Sequence, residues 1–203
     1  LLIFFIVKDR PREDAVEAAE EHVHLKKMGV LRSLLFVVKN KYNWLGGIYT
    51  TLMNLPIFII GALWGMLYLQ QVHGLGRQEA SYVTSMLFIG VVFGSPAFGW
   101  FSDFIHSRKI PMLIGAVTSL IVILIWMYTP TLSMGALMTL SFLLGFFTSS
   151  QVVSYPAIAE LNPIELTGSA TSIISLTIMF SGVVVQPLTG WLIPLHGDKV
   201  IDG

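Results

Sequence analysis

The sequence contains no cysteine, which excludes a disulfide framework and any cysteine-based metal or redox site. Charge is scarce as well. Asp, Glu, Lys and Arg make up 12% of the residues, against about 25% in an ordinary soluble domain. The formal net charge is zero, so no basic excess points to a nucleic-acid partner. The charge present is unevenly placed. Of 24 charged residues, 14 fall within 8–41. From Tyr42 to Val200 only Arg77, Glu79, Asp103, Arg108, Lys109, Glu160, Glu165, Asp198 and Lys199 are charged.

What fills the space between these charges is apolar. Five uncharged runs can be read off, at about 45–70, 80–103, 110–129, 132–155 and 167–194. Each is long enough as a helix to cross about 30 Å of hydrocarbon at about 1.5 Å per residue. An unpaired strand edge cannot be satisfied in lipid, so the expected class is all-α, a polytopic transmembrane bundle. The polar stretches HGLGRQEA (73–80), TPT (129–131) and SYPAIAELNPIELTG (154–168) are expected to separate the spans, and Pro56 and Pro187 to kink two of them. Gly61 with Gly65, and Gly90 with Gly94, form GxxxG pairs that let helix backbones approach.

The Lys and Arg bias sets orientation. With 8–41 in the cytoplasm, the turn at 104–109 is cytoplasmic too, and ten bases lie on that side against Arg77 and Lys199 outside. Within 8–41, VEAAEEHVHLKKM (16–28) suits an exposed helix. Leu31, Leu34, Leu35 and Val38 at helical spacing, beside Arg32, Lys39 and Lys41, fit either a helix lying on the membrane surface or a solvated linker helix. His22 and His24 face apart on a helix, so no metal site is expected, and no cofactor. No nucleophile–base pair suggests an enzyme.

The most informative stretch is Gly99-Trp-Phe-Ser-Asp103-Phe-Ile-His-Ser-Arg108-Lys109, a short charged turn between two apolar runs. Arg108 and Lys109 would serve as topology markers in any membrane protein, but the pattern resembles G-x-L-A-D-x-x-G-R-[RK], the signature of the major facilitator superfamily. Gly99, Asp103, Arg108 and Lys109 occupy its glycine, aspartate and paired-base positions, with Phe101 for leucine, Ser102 for alanine and His106-Ser107 where a glycine precedes the arginine. FFIVKDRP (4–11) resembles the end of that family's sixth helix. ELNPIELTGSATSI (160–173) resembles the loop before the eleventh helix in a bacterial branch, and Gly182-x-x-x-Gln186-Pro187-x-x-Gly190 resembles a family helix pattern.

The resemblance implies the C-terminal half of a twelve-helix transporter, from the end of helix six to helix eleven. Residues 1–7 would be a helix end, 8–41 the central cytoplasmic loop and 42–203 the five-span bundle. The solute site would lie between this half and an N-terminal half, with the third span outermost. A gating cluster of Gly99, Asp103, Arg108, Lys109 and Glu160 is expected. Gly99 would let the second span approach another helix, and Arg108 would pair with Glu160 or, as second choice, Glu165. Asp103 would face the N-terminal half, unpaired here. Tyr49, Asn54, Gln151, Tyr155, Ser175 and Gln186 are candidate cavity residues, since buried polar groups in lipid need partners. No span carries an internal ionisable group, so a proton-coupling carboxylate would belong to the other half. The implied function is secondary transport of a small polar or zwitterionic solute, such as an amino acid or dipeptide, by alternating access in a bacterial inner membrane. Alternatives are a multidrug exporter and a non-transporting sensor or partner subunit.

Overall fold

The computed structural model describes residues 30–129 and 132–197. The expected helix end at 1–7, the helix at 16–28 with His22 and His24, and the tail from Asp198 lie outside the described residues. Helix α1 runs Val30–Lys39 and α2 Lys41–Pro56, continued by a π-helical stretch, Ile57–Leu63, and by α3, Gly65–His73. Then follow α4 (Arg77–Ile105), α5 (Lys109–Tyr128), α6 (Met134–Thr148), a 3-10 stretch (Ser149–Val153), α7 (Ser154–Glu160), a 3-10 turn (Ile164–Leu166) and α8 (Thr167–Gly197). Five continuous helical segments among the described residues are long and apolar enough to cross a membrane: Lys41–Ala62, Arg77–Ile105, Lys109–Tyr128, Met134–Glu160 and Ile164–Val185.

Local chemistry sets the boundaries and corrects two expected loops. Asn40 has extended backbone and its side-chain oxygen accepts from the Tyr42 N–H at 3.1 Å, which caps α2. Gly74, at φ 65°, closes α3 in the left-handed conformation. The polar run expected as a loop to residue 80 is shorter, because Glu79 accepts from the Gly76 N–H at 2.9 Å and α4 begins at Arg77. The fourth span does not end at 155 either. It stays helical to Glu160, leaving only Leu161–Pro163 as the connection. Pro156 is tolerated because it falls in the first turn of α7, where its missing N–H is not needed. The 3-10 stretch before it follows Thr148 and Ser149, whose hydroxyls donate to the Leu144 and Phe146 carbonyls and so compete with the helix ladder.

The prolines act differently from expectation. Pro56 cannot donate to the Leu52 carbonyl, and the span widens into π-helix immediately after it rather than breaking. The helix α8 runs through Pro187 to Gly197.

Packing follows the small residues. A Cβ on Gly90 would overlap the Phe142 carbonyl, one on Gly94 the Phe146 carbonyl and Ser149 hydroxyl, and one on Gly145 the Leu87 carbonyl. The backbones of α4 and α6 therefore touch, the close approach that small residues permit in lipid. Gly61 and Gly65 do not act as such a pair. Gly61 faces the Phe88 ring, while Gly65 faces the carbonyl of Ile60 within its own span. The third span buries Pro111, Gly115, Ser119, Val122 and Trp126 along one face. It exposes Leu113, Val117, Leu120, Ile121 and Leu124 on the other, the one-sided exposure of a peripheral helix.

One core cluster joins Ile60, Leu69, Val83, Leu87, Trp126, Leu137 and Leu144; a second joins Val37, Ile158, Leu166, Ala170, Ile173 and Ile174. Helix α1 is anchored in the second by Val37, while Leu34, Leu35 and Val38, expected as its seating residues, are about half exposed.

Candidate functional site

The turn between α4 and α5 is closed by its backbone. The His106 N–H donates to the Asp103 carbonyl at 3.2 Å and the Ser107 N–H to the Ser102 carbonyl at 3.3 Å. His106 itself sits at φ 54°, ψ 33°, the left-handed region. Only glycine enters that region without a steric penalty, and histidine is among the residues that tolerate it. His106→Gly is therefore expected to stabilise the fold by a few tenths to about 1 kcal/mol, read as a raised Tm in detergent; an unchanged or lowered Tm would show that the turn carries no strain.

This turn aims Arg108 across the end of α7. Its Nε and Nη2 donate to Glu160 Oε1 at 3.0 and 2.7 Å, and its Nη1 donates to Asp103 Oδ1 at 2.5 Å and to the Ser102 hydroxyl at 2.9 Å. Glu160, then Asp103, hold the guanidinium pKa above its ordinary value. The expected Arg108–Glu160 ion pair is formed. The expectation that Asp103 stands unpaired is corrected: five residues before Arg108, it is within reach of the same guanidinium. Gly99 does not bring α4 against a neighbour, since a Cβ there would meet nothing within 4 Å. Lys109 is exposed and makes no ion pair among the described residues. Glu165, the second-choice partner, has neither carboxylate oxygen in a hydrogen bond. Ser102, fully buried, is a member of the cluster that the sequence did not single out.

Above the turn, the first and fourth spans are joined by polar rungs. The Tyr49 hydroxyl donates to the Met112 carbonyl at 3.0 Å and shares a 2.8 Å hydrogen bond with Ser150. Thr50 and Ser154 hydroxyls lie 2.5 Å apart, and Asn54 Nδ2 donates to Gln151 Oε1. The structure thus brings together Tyr49, Asn54 and Gln151. It does not bring in Tyr155, which packs against the Ile158 cluster, or Ser175, which is exposed on α8. The side chain of Gln186 lies outside the described residues. A groove of about 1200 Å³ connects the two sites: Tyr49, Met112 and Ser154 line it, as do Asp103, Arg108 and Glu160.

A third polar group escaped the sequence reading. Asn162 Nδ2 donates to Asn43 Oδ1 at 2.7 Å and to the Ile158 carbonyl at 2.8 Å. Its Oδ1 accepts from Asn43 and from Asn40, both at 3.2 Å. Asn43 also donates to the Val37 carbonyl at 2.9 Å. The signal was available: Asn162 stands in ELNPIELTG, two residues past Glu160. No group of three or more His, Cys, Asp or Glu able to hold a metal occurs among the described residues.

Five apolar spans, backbone contact through glycines and a charged turn define an integral, multi-pass membrane helix bundle. Comparison with known families matches residues 46–198 to the Major Facilitator Superfamily. The chain belongs to that family, a family of transporters. No curated protein and no solved structure matches it.

Proposed function

We propose that this chain moves a small polar or zwitterionic solute, an amino acid, dipeptide or similar metabolite, by alternating access against a second, N-terminal half. The polar ladder carries this reading. In an apolar bundle, Tyr49, Asn54 and Gln151 offer hydroxyl and amide groups that a polar solute could engage in place of one another. The ladder bears no formal charge, which suits a solute without net charge better than a phosphate or carboxylate. The Asp103–Arg108–Glu160 cluster closes the end assigned to the cytoplasm, with residues 8–41 on that side of a bacterial inner membrane. Coupling to protons would rest on a carboxylate in the other half, making the carrier a symporter or antiporter.

The test is uptake by the full-length protein in liposomes across amino acids, dipeptides, nucleosides and sugars, with and without a pH gradient. Saturable uptake of one zwitterionic class, with KM raised about tenfold or more by Asn54→Leu, is expected. Uptake equal to empty liposomes for every solute, together with export of apolar dyes, would replace this reading with that of a drug exporter.

A further inference from the structure

We propose that Asn162 is a positioning residue: with Asn43 and Asn40 it forms an uncharged clasp that fixes Glu160 and ties the Arg108 cluster to helix α1. The inference rests on the transport reading, in which that cluster closes one end of the bundle.

Asn162 uses its full hydrogen-bonding capacity. Both Nδ2 protons are donated, to Asn43 and to Ile158, and Oδ1 accepts two bonds, from Asn43 and Asn40. Asn43 is 0% exposed and Asn162 7%, so unpaired groups there would carry a full desolvation cost. The partners belong to three separate segments. Val37 is on α1, Asn40 and Asn43 begin α2, and Ile158 lies on α7. Glu160 is the last residue of α7 and Asn162 the second beyond it, with the Asn162 N–H on the Ala159 carbonyl at 3.4 Å. Only an amide supplies two donors and an acceptor here. Aspartate would lose both donors, and leucine would strand Asn43.

The clasp and the ion-pair cluster differ in kind. Asp103 and Glu160 side chains are 71% and 55% exposed, so their pairing with Arg108 is open to water and salt. The clasp is buried and neutral, hence insensitive to both. Glu160 thus has one fixed side and one releasable side. Because the fixed side includes the Val37 carbonyl, a displacement of α1, the helix leading into the first span, is passed to the acid that holds Arg108.

The absence of cysteine from these 203 residues gives a clean reporter. Ala157 lines the groove beside Glu160, so Ala157→Cys reads its opening. Gly135, exposed at the far end of α6 with nothing within 4 Å of a Cβ, gives a remote control as Gly135→Cys. Maleimide labelling rates would be measured on the full-length protein in nanodiscs.

Glu160→Gln is expected to raise labelling at 157 about tenfold, and Asn162→Leu by a similar factor. The double variant should label no faster than Glu160→Gln alone, with labelling at 135 unchanged. Asn40→Ser keeps a capping oxygen for α2 but loses its reach to Asn162, and should give about a threefold rise if Asn162→Leu fails to fold. Independent, multiplying effects would overturn the inference alone, as would equal rises at 135 and 157 or no rise with Asn162→Leu and Asn40→Ser. A Glu160→Gln variant that labels at the parent rate would overturn the closing role of the cluster, and the inference with it.

Discussion

Replacing Arg108 by glutamine is expected to slow transport at least tenfold and to remove its dependence on ionic strength. Arg108 is the cation between Asp103 and Glu160, and its fork also satisfies the buried Ser102 hydroxyl. Without it, two carboxylates on adjoining helix ends face each other with no counter-charge between them. Exposed ion pairs contribute only about 0–1 kcal/mol each, and both acids here are more than half exposed. A three-sided cluster on one planar cation is therefore taken at about 1–2 kcal/mol in all, enough to shift the balance between closed and open ends ten- to thirtyfold. Arg108→Lys should restore little, because an ammonium can reach one acid but cannot form the fork that also serves Ser102. Measured in liposomes between low and high salt, the parent rate should change while that of Arg108→Gln stays flat. Parent-like rates with parent-like salt dependence in the variant would end the case for a role in the cycle.

Gly145→Ala should be the most destabilising single-methyl change in the bundle. The added carbon would overlap the Leu87 carbonyl, a backbone atom of α4 that no rotamer change can move aside. Separating α4 from α6 would also loosen the contacts at Gly90 and Gly94. Overpacking of side chains costs about 1–3 kcal/mol, and a backbone clash belongs at or above the top of that range. The control lies on the same helix. Gly135→Ala enters open space and is expected to be neutral, or stabilising by up to about 1 kcal/mol through helix propensity. Thermal unfolding in detergent should therefore move in opposite directions, or at least far apart, for two identical substitutions ten residues apart. Equal Tm values for both would mean that α4 and α6 are not in backbone contact.

The class of fold was legible because lipid demands a coarse, redundant signal: about 20 apolar residues per span, with charge confined to the ends. The Arg108–Glu160 pair was legible for a related reason, since two opposite charges at helix ends on one side of the membrane have few other partners. Asp103 was misread because its reach depends on where His106 turns the chain, and a left-handed histidine does not announce itself in sequence. The fourth span was cut short because Pro156 reads as a breaker unless its place in the first turn of a new helical segment is known. The amide clasp was missed for a different reason. Asn43 and Asn162 are 119 residues apart, and nothing local to either tells that they meet. Tyr49, Asn54 and Gln151 could be flagged as polar residues needing partners, whereas the pairing of Thr50 with Ser154 required the three-dimensional register.

The π-helical stretch Ile57–Leu63 has a consequence for insertion and deletion. Its i→i−5 bonding, continued by the Trp64 N–H on the Ile59 carbonyl at 2.8 Å, spends more residues per turn than the α-helix on either side. The stretch thus resets the angular phase of the first span, and Leu69 reaches full burial only after that reset. Deleting one residue from it would let an ordinary α-helix re-form while rotating everything beyond by about 100°, one residue's step. Leu69 and the Tyr68 ring stacked on Trp126 would leave the core with no change in composition or hydropathy. The span is thus more sensitive to the number of its residues here than to their identity.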